Sequence, residues 1–147
     1  MFRKISLTLI LAMVMMAFST AVLAQQPLNP LVQSMVDKAK AEVKKVTAAE
    51  VKASLDAKAD VIYLDVRDPD EFAGGHIPGA VNLSRGKLEF RIFTVVPKQD
   101  TKIYVYCLTA ARSALATKTL NDLGYKNAVL MNASWADWVK AGYPVAR

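Results

Sequence analysis

Cysteine and histidine are nearly absent from this sequence, which holds one residue of each in 147 positions. With Cys107 as its only cysteine, the chain cannot form an internal disulfide. One cysteine and one histidine, His76, leave only scattered carboxylates as further metal ligands. A structural zinc site is therefore excluded, and we expect no metal in the functional site.

A dense basic stripe is missing as well, although the formal net charge is +6. Part of this excess lies in lysines between Lys38 and Lys45, which are interspersed with acidic residues as on the solvated face of a helix. Binding of single-stranded nucleic acid would also require aromatic side chains among the basic ones, and this stretch has none. We therefore expect no nucleic-acid partner, whereas small anionic substrates are compatible with the charge.

The first 24 residues have the three parts of a secretory signal peptide. Arg3 and Lys4 form a basic start, residues 5–22 are almost entirely apolar, and a small-residue pattern ends at Ala24, before polar Gln25. This pattern predicts cleavage after Ala24 and export, to the periplasm. An uncleaved membrane anchor is the alternative, because about 18 apolar residues approach the length that spans a bilayer. Cleavage would lower the net charge from +6 to +4.

Residues 25–45 are predicted to form a leader followed by an amphipathic helix. The stretch 25–30 is polar and contains proline, which is typical of a flexible segment. Between residues 31 and 45 apolar side chains recur at helical spacings with lysines between them. They are Leu31, Met35, Val36, Ala39 and Val43. This apolar stripe could pack on the edge of the domain or bind a protein partner, and the sequence leaves both open.

Residues 46–147 alternate between strand and helix patterns. Strands are predicted at 60–66, 80–83, 101–106 and 128–131. Helices are predicted at 47–57, 68–73, 111–123 and 135–140, the first of them opened by a capping box. This alternation predicts an α/β fold with a central parallel sheet flanked by helices on both faces. For residues 84–96 we expect a short helix and a loop that buries aromatic side chains near the functional site.

Cys107 lies where the strand at 101–106 meets the helix that begins at Ala111. Ligands of open α/β sheets gather at the carboxyl ends of the strands. The free N–H groups and the positive dipole at a helix start also stabilise a thiolate relative to a thiol. We therefore interpret Cys107 as a nucleophile and residues 108–111 as an N–H cradle for an anion. Simple burial of Cys107 is the alternative, because an exported protein must either bury or use a free thiol.

Other charged or titratable residues could act around this junction. Arg112, in the first turn of the helix, could bind an anionic substrate or hold the loop through an ion pair. Asp65 and Arg67 lie at the end of the strand at 60–66, where an ion pair that fixes the loops is the preferred interpretation. His76 lies on a tight turn, and we prefer a structural role for it over a cysteine–histidine pair.

Several motifs together resemble the single-domain rhodanese family. They span about residues 46–147 in the family's order: Leu64-Asp65-Val66-Arg67, Gly75-His76-Ile77-Pro78-Gly79-Ala80-Val81-Asn82, Tyr106-Cys107 with Arg112-Ser113, Leu123-Gly124-Tyr125, and Ala141-Gly142-Tyr143-Pro144-Val145. The resemblance implies a rhodanese fold and sulfur transfer through a persulfide on Cys107, with no cofactor. It also implies that the active-site loop consists of Leu108, Thr109, Ala110, Ala111 and Arg112.

This loop departs from the family pattern, which is usually Cys-x-x-Gly-x-Arg. Ala110 stands in place of the glycine, and if the position requires a positive φ, alanine costs about 1 kcal/mol. The six-residue length is kept, whereas related phosphatases and arsenate reductases carry a loop one residue longer for a phosphate-sized oxyanion. Leu108 and Thr109 lack the basic charge of many thiosulfate-using members, which argues against thiosulfate as the physiological donor.

Two hypotheses from different classes follow. The leading one is a sulfurtransferase that takes a sulfane sulfur from a small anion such as thiosulfate, or from a persulfide, and gives it to a thiophilic acceptor. The other is a non-catalytic binding module of the same fold, in which the helix at 31–45 docks a protein partner and the altered loop is a relic. A phosphatase or arsenate reductase is a third interpretation, which the loop length disfavours.

Overall fold

The computed structural model describes residues 27–147. The predicted signal peptide, residues 1–24, lies outside the described residues. The chain divides into two compact units, residues 1–33 and 34–147. In the described end of the first unit, the Asn29 side chain accepts a hydrogen bond of 2.9 Å from the Leu31 amide and so caps a helix start. Across residues 27–147, every helix is too short or too polar to span a bilayer.

Strands and helices alternate through the described part of the chain, as the sequence predicted. The strands are β1 (Lys45–Val46), β2 (Ile62–Asp65), β3 (Val81–Asn82), β4 (Ile103–Tyr106) and β5 (Ala128–Met131). The helices are α1 (Pro30–Glu42), α2 (Ala48–Asp56), α3 (Pro69–Ala73), α4 (Leu88–Val95), α5 (Ala111–Asp122) and α6 (Trp135–Lys140), with a 3₁₀ turn at Arg85–Lys87. The capping box predicted for α2 is present, with Thr47 and Glu50 bonding each other's backbone N–H groups.

Within residues 27–147 the strands form a parallel sheet in the order β1-β5-β4-β2-β3. Strand β4 is central and pairs with both β2 and β5. Asp65 stands opposite Tyr106 in the register of β2 and β4, so these two strands end at the same edge of the sheet. The predicted α/β fold is therefore confirmed, and the carboxyl edge of the sheet carries the predicted site residues.

Side chains of β4 alternate between two hydrophobic clusters, one on each face of the sheet. Ile103 and Val105 join the cluster that contains the buried side chains of α4 and α5. Tyr104 and Tyr106 join the cluster that contains the buried side chains of α2 and α6. Cys107 continues this alternation and belongs to the first cluster. Helices therefore cover both faces, as expected for a buried parallel sheet.

The apolar stripe of α1 packs on the domain, which answers one question that the sequence left open. Val36 and Ala39 are buried in a third cluster together with Ala114 of α5 and Leu130 of β5. Met35 points elsewhere and is 60% exposed. Binding of a protein partner through residues 31–45 stays a prediction, and it would have to use the outward side of this helix.

The expectation that residues 84–96 bury aromatic side chains near the site is wrong. Phe90 is 83% exposed and Phe93 is 49% exposed. The reason is the register of α4, in which Leu88 and Ile92 lie four residues apart and form the buried stripe. At 100° per residue, Phe90 lies on the side of the helix opposite to Leu88. The side chains of this stretch that are buried in the core, Leu88, Ile92 and Val96, are aliphatic.

Candidate active site

Cys107 follows the last residue of β4 directly, and three residues separate it from Ala111, the first residue of α5. Tyr106, just before it, is the register partner of Asp65 at the end of β2. The cysteine is fully buried beneath its own loop, while the side chains of Leu108 and Thr109 are exposed. The structure thus places the predicted nucleophile at the carboxyl edge of the sheet and at the amino end of α5.

Two groups of Ser113 contact the sulfur of Cys107. The Ser113 amide donates to Sγ at 3.3 Å, and the Ser113 hydroxyl lies 3.4 Å from Sγ. Ser113 is the third residue of α5, so Sγ occupies the place of a helix-capping acceptor. A thiol donates to the hydroxyl, whereas a thiolate would accept from both groups. Both contacts hold the sulfur of Cys107 at the start of α5.

Ser113 was not among the predicted site residues, and its position could have indicated its role. It follows Cys107 by six residues, at the depth in a helix where an N-cap acceptor normally finds its amide donor. Ala110, at the N-cap position, has no side-chain acceptor, and the Ser113 amide bonds the sulfur of Cys107 instead.

The amides of the loop are free to bind a ligand. Within residues 27–147, the N–H groups of Leu108, Thr109 and Ala110 donate to no protein acceptor. The Leu108 carbonyl accepts a hydrogen bond of 2.9 Å from the Trp135 amide, which ties the loop to the start of α6. Free amides at a helix start are typical of anion sites. The cradle at residues 108–111 stays a prediction, and amides without protein acceptors are one of its requirements.

Ala110 adopts the left-handed conformation, with φ of 65° and ψ of 3°. The condition stated from the sequence, that the glycine position of the family loop needs a positive φ, is fulfilled. An L-residue in this region is strained because its Cβ crowds the backbone. The loop therefore stores about 1 kcal/mol that glycine would not.

Replacement of Ala110 by glycine is expected to raise the free energy of unfolding by about 0.5–1 kcal/mol, because the strain at φ of 65° disappears. Urea denaturation monitored by tryptophan fluorescence measures the change. Ala111→Gly is the matched control, since Ala111 is the first residue of α5 and glycine should destabilise a helical position by up to about 1 kcal/mol. If both replacements changed the free energy of unfolding in the same direction, the strain at Ala110 would be contradicted.

The Arg112 guanidinium is held in an ion pair. Its Nη1 and Nη2 atoms donate to the two carboxylate oxygens of Glu71 at 2.7 and 2.8 Å. Asp68 Oδ2 lies 3.6 Å from Nη1. The bond from Arg112 holds the pKa of Glu71 below its ordinary value. Of the two roles considered for Arg112, the geometry favours bracing the loop, and Glu71 is a site residue that the sequence did not reveal.

Glu71→Gln is expected to lower the free energy of unfolding near pH 7 by about 1 kcal/mol or less, because the pair is partly exposed. A carboxyl whose pKa is lowered by folding stabilises the protein above its unfolded pKa, and this contribution is lost as the pH falls through the folded value. The difference between Glu71→Gln and the native chain should therefore be constant near neutral pH and shrink as the pH falls below the ordinary glutamate pKa of about 4.3. Urea denaturation at several pH values measures it, and a difference that does not shrink would refute the ion pair's role.

Asp65 and Arg67 form a buried ion pair, as predicted. The Arg67 Nη2 atom donates to Asp65 Oδ2 at 2.6 Å and to the Gly75 carbonyl at 2.7 Å. Its guanidinium lies 4.5 Å from the centroid of the Trp135 ring. Burial alone would lower the pKa of Arg67, but the bond and charge of Asp65 outweigh it and raise that pKa. The pair thus joins the end of β2 to the turn at Gly75 and to α6.

Two further polar side chains near this edge have structural partners. The Tyr106 hydroxyl accepts a hydrogen bond of 3.1 Å from the Ile77 amide, and burial raises the pKa of Tyr106, so it stays neutral. His76 Nδ1 lies 2.9 Å from the Phe72 carbonyl, and its ring stacks on Phe72 at 3.7 Å. Among the described residues no hydrogen bond joins His76 to Cys107, so the structure does not form a cysteine–histidine pair.

A metal centre has no donor set in the described chain. Residues 27–147 contain no group of three or more histidine, cysteine, aspartate or glutamate side chains that could hold a metal ion.

Comparisons with known proteins find one matching family model and several similar sequences. The family model described as a rhodanese-like domain matches residues 47–141. The chain is 32% identical over 94 residues to the thiosulfate:glutathione sulfurtransferase of Saccharomyces cerevisiae, covering 56% of this chain and 68% of the yeast protein. It is 33% identical over 63 residues to the thiosulfate sulfurtransferase PspE of Escherichia coli, covering 43% of this chain and 61% of that protein.

A solved structure supports the fold over a longer range. The Rhodopseudomonas palustris protein RPA3614, described as a protein of unknown function and a possible tyrosine phosphatase, aligns with a TM-score of 0.71 and 32% identity. The alignment covers 83% of this chain and 98% of that one. The chain spans 51% of the length of a curated relative from Bacillus subtilis and 62% of that of one from Schizosaccharomyces pombe.

Proposed function

The chain belongs to the rhodanese-like domain family, and on this premise we propose that it is a sulfurtransferase that carries a sulfane sulfur on Cys107. The observation that supports the proposal is the position of the Cys107 sulfur, which lies 3.3 Å from the Ser113 amide and 3.4 Å from the Ser113 hydroxyl. A thiolate at this position would accept a hydrogen bond from each group, and the thiolate is the attacking form in the first step and the leaving group in the second.

The reaction consists of two displacements at sulfur. The Cys107 thiolate attacks the outer sulfur of the donor, and the bond between that sulfur and the rest of the donor breaks. Sulfite leaves when the donor is thiosulfate, and a thiolate leaves when it is an organic persulfide. Cyanide or a thiol then attacks the outer sulfur of the Cys107 persulfide, and the Cys107 thiolate leaves. The two steps balance without an external oxidant or reductant, so no cofactor is required.

The surrounding residues have separate roles in this proposal. The free amides of Leu108, Thr109 and Ala110 bind the anionic donor and then the persulfide. Arg112 braces the loop through Glu71. Asp65 and Arg67 fix the loops on which the site stands. Two relatives are named as sulfurtransferases that use thiosulfate. In this chain, however, Leu108 and Thr109 bring no positive charge to the loop. A persulfide is therefore the preferred class of donor.

Transfer assays test the proposal directly. The purified chain is incubated with thiosulfate as donor and cyanide or glutathione as acceptor, or with glutathione persulfide as donor and cyanide as acceptor. Thiocyanate is measured when cyanide is the acceptor, and glutathione persulfide is measured when glutathione is the acceptor. We expect transfer from at least one donor, with none in the Cys107→Ala variant. Hydrolysis of p-nitrophenyl phosphate is measured in parallel, because one similar protein is described as a possible tyrosine phosphatase. Phosphate release that depends on Cys107, with no sulfur transfer, would overturn the proposal.

The complete burial of Cys107 favours a second candidate, a non-catalytic binding module. A donor can reach the sulfur only if the residues that cover it move, whereas a relic cysteine needs no access. The rate of alkylation by iodoacetamide, measured as a function of pH, discriminates between the two. A working thiolate reacts well below pH 8, while a relic thiol reacts only as the pH approaches about 8.5. In the module, the outward side of α1 would dock the partner.

We also propose that the protein is exported to the periplasm, on the basis of the signal-peptide pattern in residues 1–24. Expression of the full sequence in a bacterium, followed by cell fractionation and mass analysis, tests this. Recovery from the periplasmic fraction with Gln25 as the first residue is expected. Recovery from membranes with residues 1–24 attached would favour the anchor, and recovery from the cytoplasm would refute export.

A further inference from the structure

A cavity of about 480 Å³ opens at the edge of the sheet opposite to Cys107. Lys102, which lines it, directly precedes β4, and Asn127, which also lines it, directly precedes β5. The cavity therefore lies at the amino ends of these strands. Cys107 follows the carboxyl end of β4, and five residues of extended chain separate it from Lys102 by roughly 16 Å. The cavity is thus distinct from the active site.

Three lysines, and no acidic residue, line this cavity. They are Lys44, Lys45 and Lys102. None of them forms an ion pair with any acidic residue among positions 27–147, whereas Lys52 and Lys118 both do. Ammonium groups that share a concave surface without a counter-charge repel one another and attract an anion. The charge therefore favours a ligand with more than one negative charge.

The floor of the cavity is apolar and aromatic. Tyr104 and Val129 are adjacent on β4 and β5, and both are almost completely buried. Val46 of β1 lines the cavity beside them. The Lys102 Nζ atom lies 5.2 Å from the centroid of the Tyr104 ring, a cation–π distance. A planar apolar group could therefore pack against the floor while its charged end meets the lysines.

Two polar atoms of the lining have no protein partner. The Tyr104 hydroxyl forms no hydrogen bond within residues 27–147, whereas the Tyr63 hydroxyl lies 2.9 Å from Ser54 Oγ. Because every sealed side-chain polar atom in the described chain has a partner, the Tyr104 hydroxyl is open to the cavity it lines. Asn127 donates through Nδ2 to the Asp100 carbonyl at 2.8 Å, which leaves its Oδ1 atom as a free acceptor.

We infer that this cavity binds a small organic polyanion with a planar body, the chemistry of a nucleoside diphosphate. The lysines meet the phosphates, the floor of Val46, Tyr104 and Val129 packs against the base, and the Tyr104 hydroxyl and Asn127 Oδ1 bond polar groups of the ligand. The volume lies within the range of small-molecule sites. This site does not depend on the sulfur chemistry of Cys107.

Isothermal titration calorimetry with ADP at low salt and without divalent ions tests the inference. We expect saturable binding of one ADP with a dissociation constant below about 1 mM. Adenosine lacks the charge and pyrophosphate lacks the planar body, so each should bind at least about tenfold more weakly. Absence of ADP binding, or binding of either fragment as tightly as ADP, would overturn the inference.

Variants locate the site. Simultaneous replacement of Lys44, Lys45 and Lys102 by alanine should weaken ADP binding at least about tenfold, and Tyr104→Phe should weaken it less because only the hydroxyl is lost. Lys87→Ala removes the same charge outside the lining and should leave binding unchanged. ADP binding that the triple replacement does not weaken would place the ligand elsewhere and refute the site. Sulfur transfer should be unchanged in all these variants.

Discussion

Cys107→Ser is expected to reduce sulfur transfer by at least about 1,000-fold with every donor. A serine hydroxyl stays protonated at neutral pH and cannot hold a sulfane sulfur in a reversible bond, whereas a thiolate can. The replacement is conservative for the fold, because the new hydroxyl is smaller than the thiol and finds the Ser113 amide and hydroxyl already in place. Initial rates of thiocyanate formation measure the loss, and circular dichroism verifies folding.

Ser113→Ala separates the role of the positioning residue from that of the nucleophile. The hydroxyl contact to Sγ is lost while the Ser113 backbone amide remains, so transfer should fall by only about 10-fold. The pH at which alkylation of Cys107 becomes fast should also rise, and a general loss of stability would not cause this change. Transfer that survives in Cys107→Ser, or a Ser113→Ala variant with an unchanged pH profile, would contradict the assigned roles.

Asp65→Ala is expected to lower the free energy of unfolding by about 3–5 kcal/mol, because it leaves the buried Arg67 guanidinium without its counter-charge. Both side chains are almost completely buried, and the Gly75 carbonyl alone cannot compensate a full charge. The effect should be large even though the pair does not contact Cys107. Urea denaturation gives the value.

Two controls show whether the cost comes from an unpaired charge. Asp56→Ala removes the carboxylate of an exposed ion pair with Lys52 and should cost less than about 1 kcal/mol. The double variant Asp65→Leu with Arg67→Met removes both buried charges and should recover much of the loss. A double variant as unstable as Asp65→Ala would show that packing, and not charge, is what the pair contributes.

The sequence predicted the elements that carry strong local signals. Helix α2 was predicted from its capping box, and β4 from the apolar run that leads directly to Cys107. Strand β1 was missed because two residues, Lys45 and Val46, hold no periodicity, and they become a strand only through their pairing with Leu130 and Met131 of β5. The exposure of Phe90 was missed because it depends on which side of α4 meets the core.

The parts of the candidate site that are close in sequence were predictable, whereas its contacts between distant residues were not. Cys107 and its loop were found from a single stretch of sequence, and the strained position of Ala110 was anticipated as a condition. The Glu71 partner of Arg112 lies 41 residues away, and the Trp135 ring under Arg67 lies farther still along the chain. Such contacts follow from the packing of α3 and α6 at one edge of the sheet, which no local pattern encodes.

The central claim is that Cys107 carries a sulfur atom, and intact-protein mass spectrometry after a single exposure to donor tests it most directly. With thiosulfate or glutathione persulfide as donor and no acceptor present, the protein should gain about 32 Da, one sulfur atom, on the peptide that contains Cys107. Addition of cyanide should return the original mass and release thiocyanate. A chain that gains no sulfur with any donor, while Cys107 remains a free thiol, would contradict the proposed function.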